Sequence, residues 1–295
     1  MKKLLFIPLL VFNLTYIHAQ EENNDEAESK SQESETLDVT DAEQDRASMA
    51  VDATATQWSF QLAYQDMPSY YDDIVNGEPR PAGLDNYWQL RIVAPIPMKS
   101  LTLLPRLTFR HYENLQNGKS GFGNTELFAL IIPNATNWGS GRAGIGPLVT
   151  APGNKDVAKD EWGYGFAAAI VNNSGKFFYG LLFTQSWRAI DPNALPEGSS
   201  DTNPLGIAPF LNYRFGSKGF YVQTADIVAL YNWNTSNFYM PIGARLGKVW
   251  VLEKASWNFY VEYKTSAIYK NWEGPAVKNS FRINVSYTIP VGSKK

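Results

Sequence analysis

Arg91, Arg106, Arg110, Arg188, Arg214, Arg245 and Arg282 share a property of position: each lies on the polar parity of a stretch whose alternate residues are apolar. A guanidinium stays charged and presents its donors as a planar fork, which suits carboxylate and phosphate recognition. Lys264 falls on the same side of its stretch, opposed by Glu262 and by Glu126, and Arg142 joins the set where its Gly-rich segment keeps register. Gathered around one space, these groups would raise the local potential and attract anions. Paired with the carboxylates, they would instead fill the interior and leave a plugged or very narrow passage. The sequence leaves both outcomes open.

Other chemistries find less material. Acyl hydrolysis calls for a histidine base beside a serine nucleophile, and after His18 the chain has a single histidine, His111, next to Tyr112 and Glu113. A lone histidine at a strand end reads as a rim residue; a barrel enzyme acting on lipids around His111 stands as the alternative function. There is no cysteine, and Asp72-Asp73 lacks the spaced oxygens of a calcium loop, so neither a metal nor a cofactor is expected. Gly121-Phe122-Gly123-Asn124 is too short for a nucleotide-binding loop and sits on a strand. Residues 66–86, with Tyr70, Tyr71, Asp72, Asp73 and Glu78, form the largest connection, which either binds a ligand or caps the fold; a non-transporting structural or adhesive role through such loops is the third reading.

The elements that must position these side chains are strands. Phe281, Ile283, Val285, Tyr287 and Ile289 alternate without a slip against Arg282, Asn284, Ser286 and Thr288, the period of a half-buried strand. Trp58, Phe60, Leu62 and Tyr64 repeat it, as do Trp88, Leu90 and Ile92, then Trp162 to Ile170, Leu205 to Phe215, and Trp257 to Tyr263. About twelve such segments follow Gln57, with no convincing helix. Residues 121–133, 138–149 and 220–233 carry apolar residues on both parities, so their facing is not fixed. Short links at 97–100, 134–137, 172–175 and 216–219 alternate with longer polar ones at 66–86, 113–120, 151–160, 190–203 and 270–278, the rhythm of a transmembrane barrel. The link at 234–237 is short where that rhythm asks for length.

The start of the chain points to export. Lys2 and Lys3 precede an apolar run from Leu4 to Ile17, with Ala19 offering a cleavage point, so residues 1–19 read as a signal peptide. Residues 20–56 read as an acidic disordered periplasmic segment. Twelve of the 29 acidic residues and, with Lys2 and Lys3, four of the 26 basic ones precede Trp58, leaving 17 acidic and 22 basic residues beyond it. Residues 57–295 are therefore net positive although the whole chain is at −3.

A periplasmic sandwich would alternate too. Segments near ten residues, tryptophans at segment ends and punctuating prolines favour an antiparallel up-and-down barrel in the outer membrane of a Gram-negative bacterium. Pro105 and Pro209 fall inside strands and require bulges or unbonded positions. An arginine facing lipid near the midplane costs about 2–4 kcal/mol, so the arginines should line the lumen or its rims. The partners expected are outer-membrane lipid, a small-molecule solute and the barrel assembly machinery, with no nucleic acid.

The series Gly121-Phe-Gly-Asn-Thr, Trp138-Gly-Ser-Gly-Arg-Ala-Gly-Ile-Gly-Pro147 running to Ala151-Pro-Gly, Glu161-Trp-Gly-Tyr-Gly-Phe, Pro209-Phe-Leu-Asn-Tyr213, Met240-Pro-Ile-Gly-Ala-Arg245 and Leu246-Gly-Lys248 resembles the outer-membrane family described as the MetA-pathway of phenol degradation. The resemblance spans the chain from Trp58 onward. It implies a barrel that passes small hydrophobic or aromatic compounds, and it supplies no catalytic residues. The chain departs from many outer-membrane barrels in running past Tyr287 to Pro290-Val-Gly-Ser-Lys-Lys instead of ending on an aromatic.

Overall fold

The structure, a computed structural model, describes residues 57–114, 118–188, 204–216 and 218–291. The segments read as signal peptide and acidic spacer, and the whole 190–203 connection, lie outside the described residues.

Among the described residues twelve antiparallel strands close into a ring. In chain order they are Gln57–Tyr70, Asn86–Val93, Leu101–Asn114, Thr125–Pro133, Gly141–Ala151, Gly163–Ser174, Phe177–Arg188, Pro204–Phe215, an interrupted ninth made of Phe220–Thr224 and Ala229–Asn232, then Phe238–Val251, Ser256–Ile268 and Val277–Pro290. Each pairs with its sequence neighbours, and the first pairs with the last, Trp58 opposite Ile289 and Leu62 opposite Val285. Because the count is even, Gln57 and Pro290 meet on one rim, the rim that carries the short turns. A single turn of 3-10 helix at Asn134–Thr136 sits on the same rim.

The last strand shows why the pattern folds this way. Phe281 and Ile283 are each 51% exposed on the outside, whereas Arg282 and Asn284 between them are 2% and 1% exposed on the inside. Outward aliphatic residues such as Leu62, Leu246, Val261 and Ile283 form a band between two rings of aromatic residues. Trp257 and Tyr287, ring centroids 4.8 Å apart, belong to the short-turn ring; Trp88 and Tyr64, 4.9 Å apart, belong to the other. Barrels that meet lipid carry this outer band between girdles.

The structure moves several boundaries. The first strand runs to Tyr70, so the first long connection is 71–85, with a two-rung hairpin of Ile74–Val75 and Glu78–Pro79. Lys119–Phe122 pairs with residues 111–114 and extends the wall before the Gly123-Asn124 break. Pro105 lies opposite the gap between Val93 and Ile96 in the neighbouring strand, where its carbonyl accepts from the Ala94 N–H and no donor is required of it.

The mixed parity of 220–233 has a physical cause. Between Asn212↔Gln223 and Ile207↔Ala229 the eighth strand supplies four residues and the ninth five, a one-residue bulge. The tenth strand gives the same count between Thr224↔Ala244 and Leu230↔Tyr239. Pro209 and Pro241, one on each flank, cannot donate to a ladder, and the ninth strand leaves the sheet between them. Tyr221 and Gln223 point inward before the bulge; Leu230 and Asn232 do so after it.

Candidate functional site

The bulge carries Asp226 into the barrel. Its carboxylate accepts a hydrogen bond from Arg282 Nη1 at 3.0 Å and lies 3.5 Å from Arg91 Nη2. Its backbone N–H donates to Glu262 Oε2 at 2.9 Å, and its backbone carbonyl accepts from Lys264 Nζ at 3.3 Å. Glu262 in turn pairs with Arg245 Nη2 at 2.9 Å. Glu262 stands directly across the sheet from both Arg245 and Arg282, so three adjacent strands present a cation, a carboxylate and a cation in one row.

Arg106 and Glu126 form a second, looser pair at 3.5 Å, with the Arg106 guanidinium 4.4 Å from the centre of the Phe128 ring. Arg110, four residues further toward the long-loop rim, donates through Nε to Gln89 at 3.1 Å. Six cations, Arg91, Arg106, Arg110, Arg245, Lys264 and Arg282, thus face three carboxylates, Glu126, Asp226 and Glu262, leaving an excess of three positive charges in the cluster. The Nε–H groups of Arg91, Arg106, Arg245 and Arg282 are buried without a hydrogen-bond partner among the described residues.

Not all the sequence-predicted residues join this cluster. Arg142 shares inward parity with Leu148 and stands opposite Val171 beside the short-turn rim. Arg214 donates from Nη2 to the carbonyl of Gly175, also at that rim. Arg188 closes the seventh strand opposite Gly163, and its side chain is outside the described set.

Two chambers open on either side of the cluster. The one toward the short turns has a volume of about 130 Å³, and the one toward the long loops about 530 Å³. Asp226 lines both, which makes its bulge the septum between them. The smaller chamber has a second face that sequence reasoning did not identify: Val93, Leu104, Phe128, Leu130, Ile132, Leu148, Ala167 and Ala169 form a buried apolar cluster inside the barrel. The signal was present in the fourth to sixth segments, where both parities are apolar or small.

The long-loop rim is also held. Arg80, 6% exposed, crosses from the 71–85 loop to the 269–276 loop, donating to Asp73 and to the carbonyls of Trp272, Gly274 and Tyr269. Tyr71 and Tyr269 stack beside it, centroids 4.2 Å apart. The hydrogen bond from Arg80 holds the Asp73 carboxyl below the usual carboxylate range. Asp73 therefore serves a loop contact, and among the described residues no group of three metal-ligating side chains occurs.

His111 points outward, edge-on to Phe122 at 5.1 Å and opposite Trp88. Among the described residues no serine hydroxyl hydrogen-bonds to it, so the triad geometry needed for acyl transfer is absent around His111.

No family model matches the chain, and no curated protein matches it. Among solved structures it is similar to an outer-membrane channel from Pseudomonas putida F1, with a TM-score of 0.56 and 17% identity over 79% of this chain and 95% of that one. Lower TM-scores relate it to the monoaromatic hydrocarbon channel CymD (0.44; 9% identity over 84% and 93%). The same holds for outer membrane phospholipase A from Escherichia coli (0.43; 13% identity over 78% and 95%). The first of these establishes the likeness of fold: this chain forms a barrel of the outer-membrane type.

Proposed function

We propose that the protein is an outer-membrane channel for small solutes whose lumen favours anions. The observation that carries this reading is the excess of three positive charges gathered at the septum between the two chambers. In a water-poor passage with low-dielectric walls, such an excess focuses field lines and raises the local anion concentration. Arg91, Arg106, Arg110, Arg245, Lys264 and Arg282 act as lining residues, with Glu126 and Glu262 as partial counter-charges and Arg142, Arg214 and Arg188 at the rims. The septum makes the resting passage narrow, and Asp226 is the group that must move for it to widen.

The same reading places the signal peptide at 1–19, the acidic spacer at 20–56 on the periplasmic side, and the long loops outside the cell. The motif likeness to the phenol-degradation family supports passage of small, partly apolar solutes, and the likeness of fold to an outer-membrane channel supports a passage through the barrel; the barrel assembly machinery would insert the chain. Planar-bilayer recording under a salt gradient tests the proposal. The reversal potential should report anion selectivity; a cation-selective or permanently closed protein would end it.

A further inference from the structure

We propose that the smaller chamber is a binding site for amphipathic monocarboxylates with one ring-sized apolar body. This inference rests on the channel reading above and names its solute class. The chamber joins two chemistries in one space. Arg91, Arg106, Arg245 and Asp226 line it together with Val93, Leu104, Phe128 and Leu130. The seam between them is Arg106, whose guanidinium lies over the Phe128 ring while its Nε–H has no partner among the described residues.

Three features select the ligand. Arg91 and Arg106 hold their carboxylates only at 3.5 Å, and each keeps a buried, unused Nε–H. A planar carboxylate satisfies such forks in the two-pronged manner that neither Asp226 nor Glu126 achieves there. Size comes next: a chamber of about 130 Å³ is close to the roughly 150 Å³ that holds a benzene molecule in an apolar protein cavity. Finally, the apolar side is walled by Leu104 and Leu130, 1% and 2% exposed, so it rewards a ring and offers a second charge nothing. A dicarboxylate or sugar would leave polar groups unpaired against that wall.

The test compares three probes on the full chain in planar bilayers: benzoate, benzyl alcohol and acetate, each titrated against the chloride current. Benzoate should block saturably, with benzyl alcohol and acetate needing at least about tenfold higher concentration, the discrimination expected when either a charge partner or an apolar body is missing. Equal potency of benzoate and acetate would reduce the site to charge alone, and equal potency of benzoate and benzyl alcohol to grease alone; either overturns the proposal. Arg106→Gln should erase the advantage of benzoate over benzyl alcohol, while Arg106→Lys, which keeps the charge, retains part of it and controls for folding. Leu130→Ser should erase the advantage over acetate. Wild-type benzoate potency in Arg106→Gln would also overturn it. Failure of the channel reading looks different. A protein that passes no chloride yet binds benzoate calorimetrically in detergent keeps this site and loses the channel, whereas chloride current without discrimination keeps the channel and loses the site.

Discussion

The inner wall of the barrel has two arcs built on opposite principles. From the tenth strand through the twelfth and round to the second, the inward positions are mostly polar, among them Arg245, Glu262, Arg282, Asn284, Gln65 and Gln89, the last five all 5% exposed or less. From the third strand to the sixth, on the short-turn side of Arg110 and Glu126, they are mostly apolar, Leu104, Phe128, Leu130, Leu148, Ala167 and Ala169, with Arg106 at the seam. The lipid-facing surface is alike over both. Outward residues therefore determine that a strand belongs to a membrane barrel, and inward residues are left to shape the passage. On the apolar arc some positions leave no room for a side chain: a Cβ at Gly146 or Gly165 would strike the carbonyl of Ala129 or Gln185 on the adjacent strand. The polar arc fills its inner wall with long side chains and ties them by ion pairs.

Substitutions on the two arcs should differ in kind. The largest effect is expected for Arg282→Ala, which leaves Asp226 and Glu262 short of a buried cation; a loss of about 3–5 kcal/mol should appear as a lower urea midpoint in lipid vesicles. Leu130→Ala on the apolar arc should lose about 2–4 kcal/mol by the same measurement while leaving the reversal potential where it was. If it shifted selectivity as well, the separation of the arcs would fail. Asp226→Asn acts on passage more than on stability: with the septum's carboxylate gone, the anion-to-cation permeability ratio should rise about tenfold. Lys248→Ala serves as the outer-face control. Its ammonium sits 4.9 Å from both the Phe220 and Trp250 rings on the short-turn girdle, and about 0.5–1 kcal/mol is the most it should cost.

Acid should distinguish the cover of the polar arc. The 71–85 loop follows the first strand and the 269–276 loop precedes the last, so the Arg80 contact spans this arc alone. Asp73 has a carboxyl pKa depressed in the folded protein. Its contribution is thus present above the ordinary carboxylate value near 3.9 and is lost as pH falls through the lowered one. Proteolysis within 71–85 should rise between pH 7 and pH 3 in the wild type, and Arg80→Ala should be cleaved at both.

The alternation of 281–289, 57–65 and 256–264 was readable because facing in a strand is a local property of period two. Those segments and their companions gave the barrel, and with it the inward parity of Glu262 and Arg282 here and of Arg91 and Arg245 on the second and tenth strands. Asp226 was not readable. Continued alternation from Phe220 puts it on the lipid side, and only the count against Pro209 and Pro241 on two other strands reveals the extra residue that turns it inward. Arg80 was missed for a related reason: apart from Asp73, its partners, at Tyr269 to Gly274, lie some 190 positions away, where nothing near it in sequence marks the contact. The apolar arc was hidden by the same ambiguity that left 121–149 without a facing.

Closure of the ring by the first and last strands has a consequence for chain order. Gln65 donates to Ser280 across 215 positions of sequence, yet in the ring the two are neighbours no different from any others. Chain ends are thus a property of the gene and not of the architecture. A circular permutant that bridges Gln57 and Pro290 with a short linker and opens at the tight turn 216–219 should rebuild the same circle, although every segment between would be translated in a different sequence of arrival.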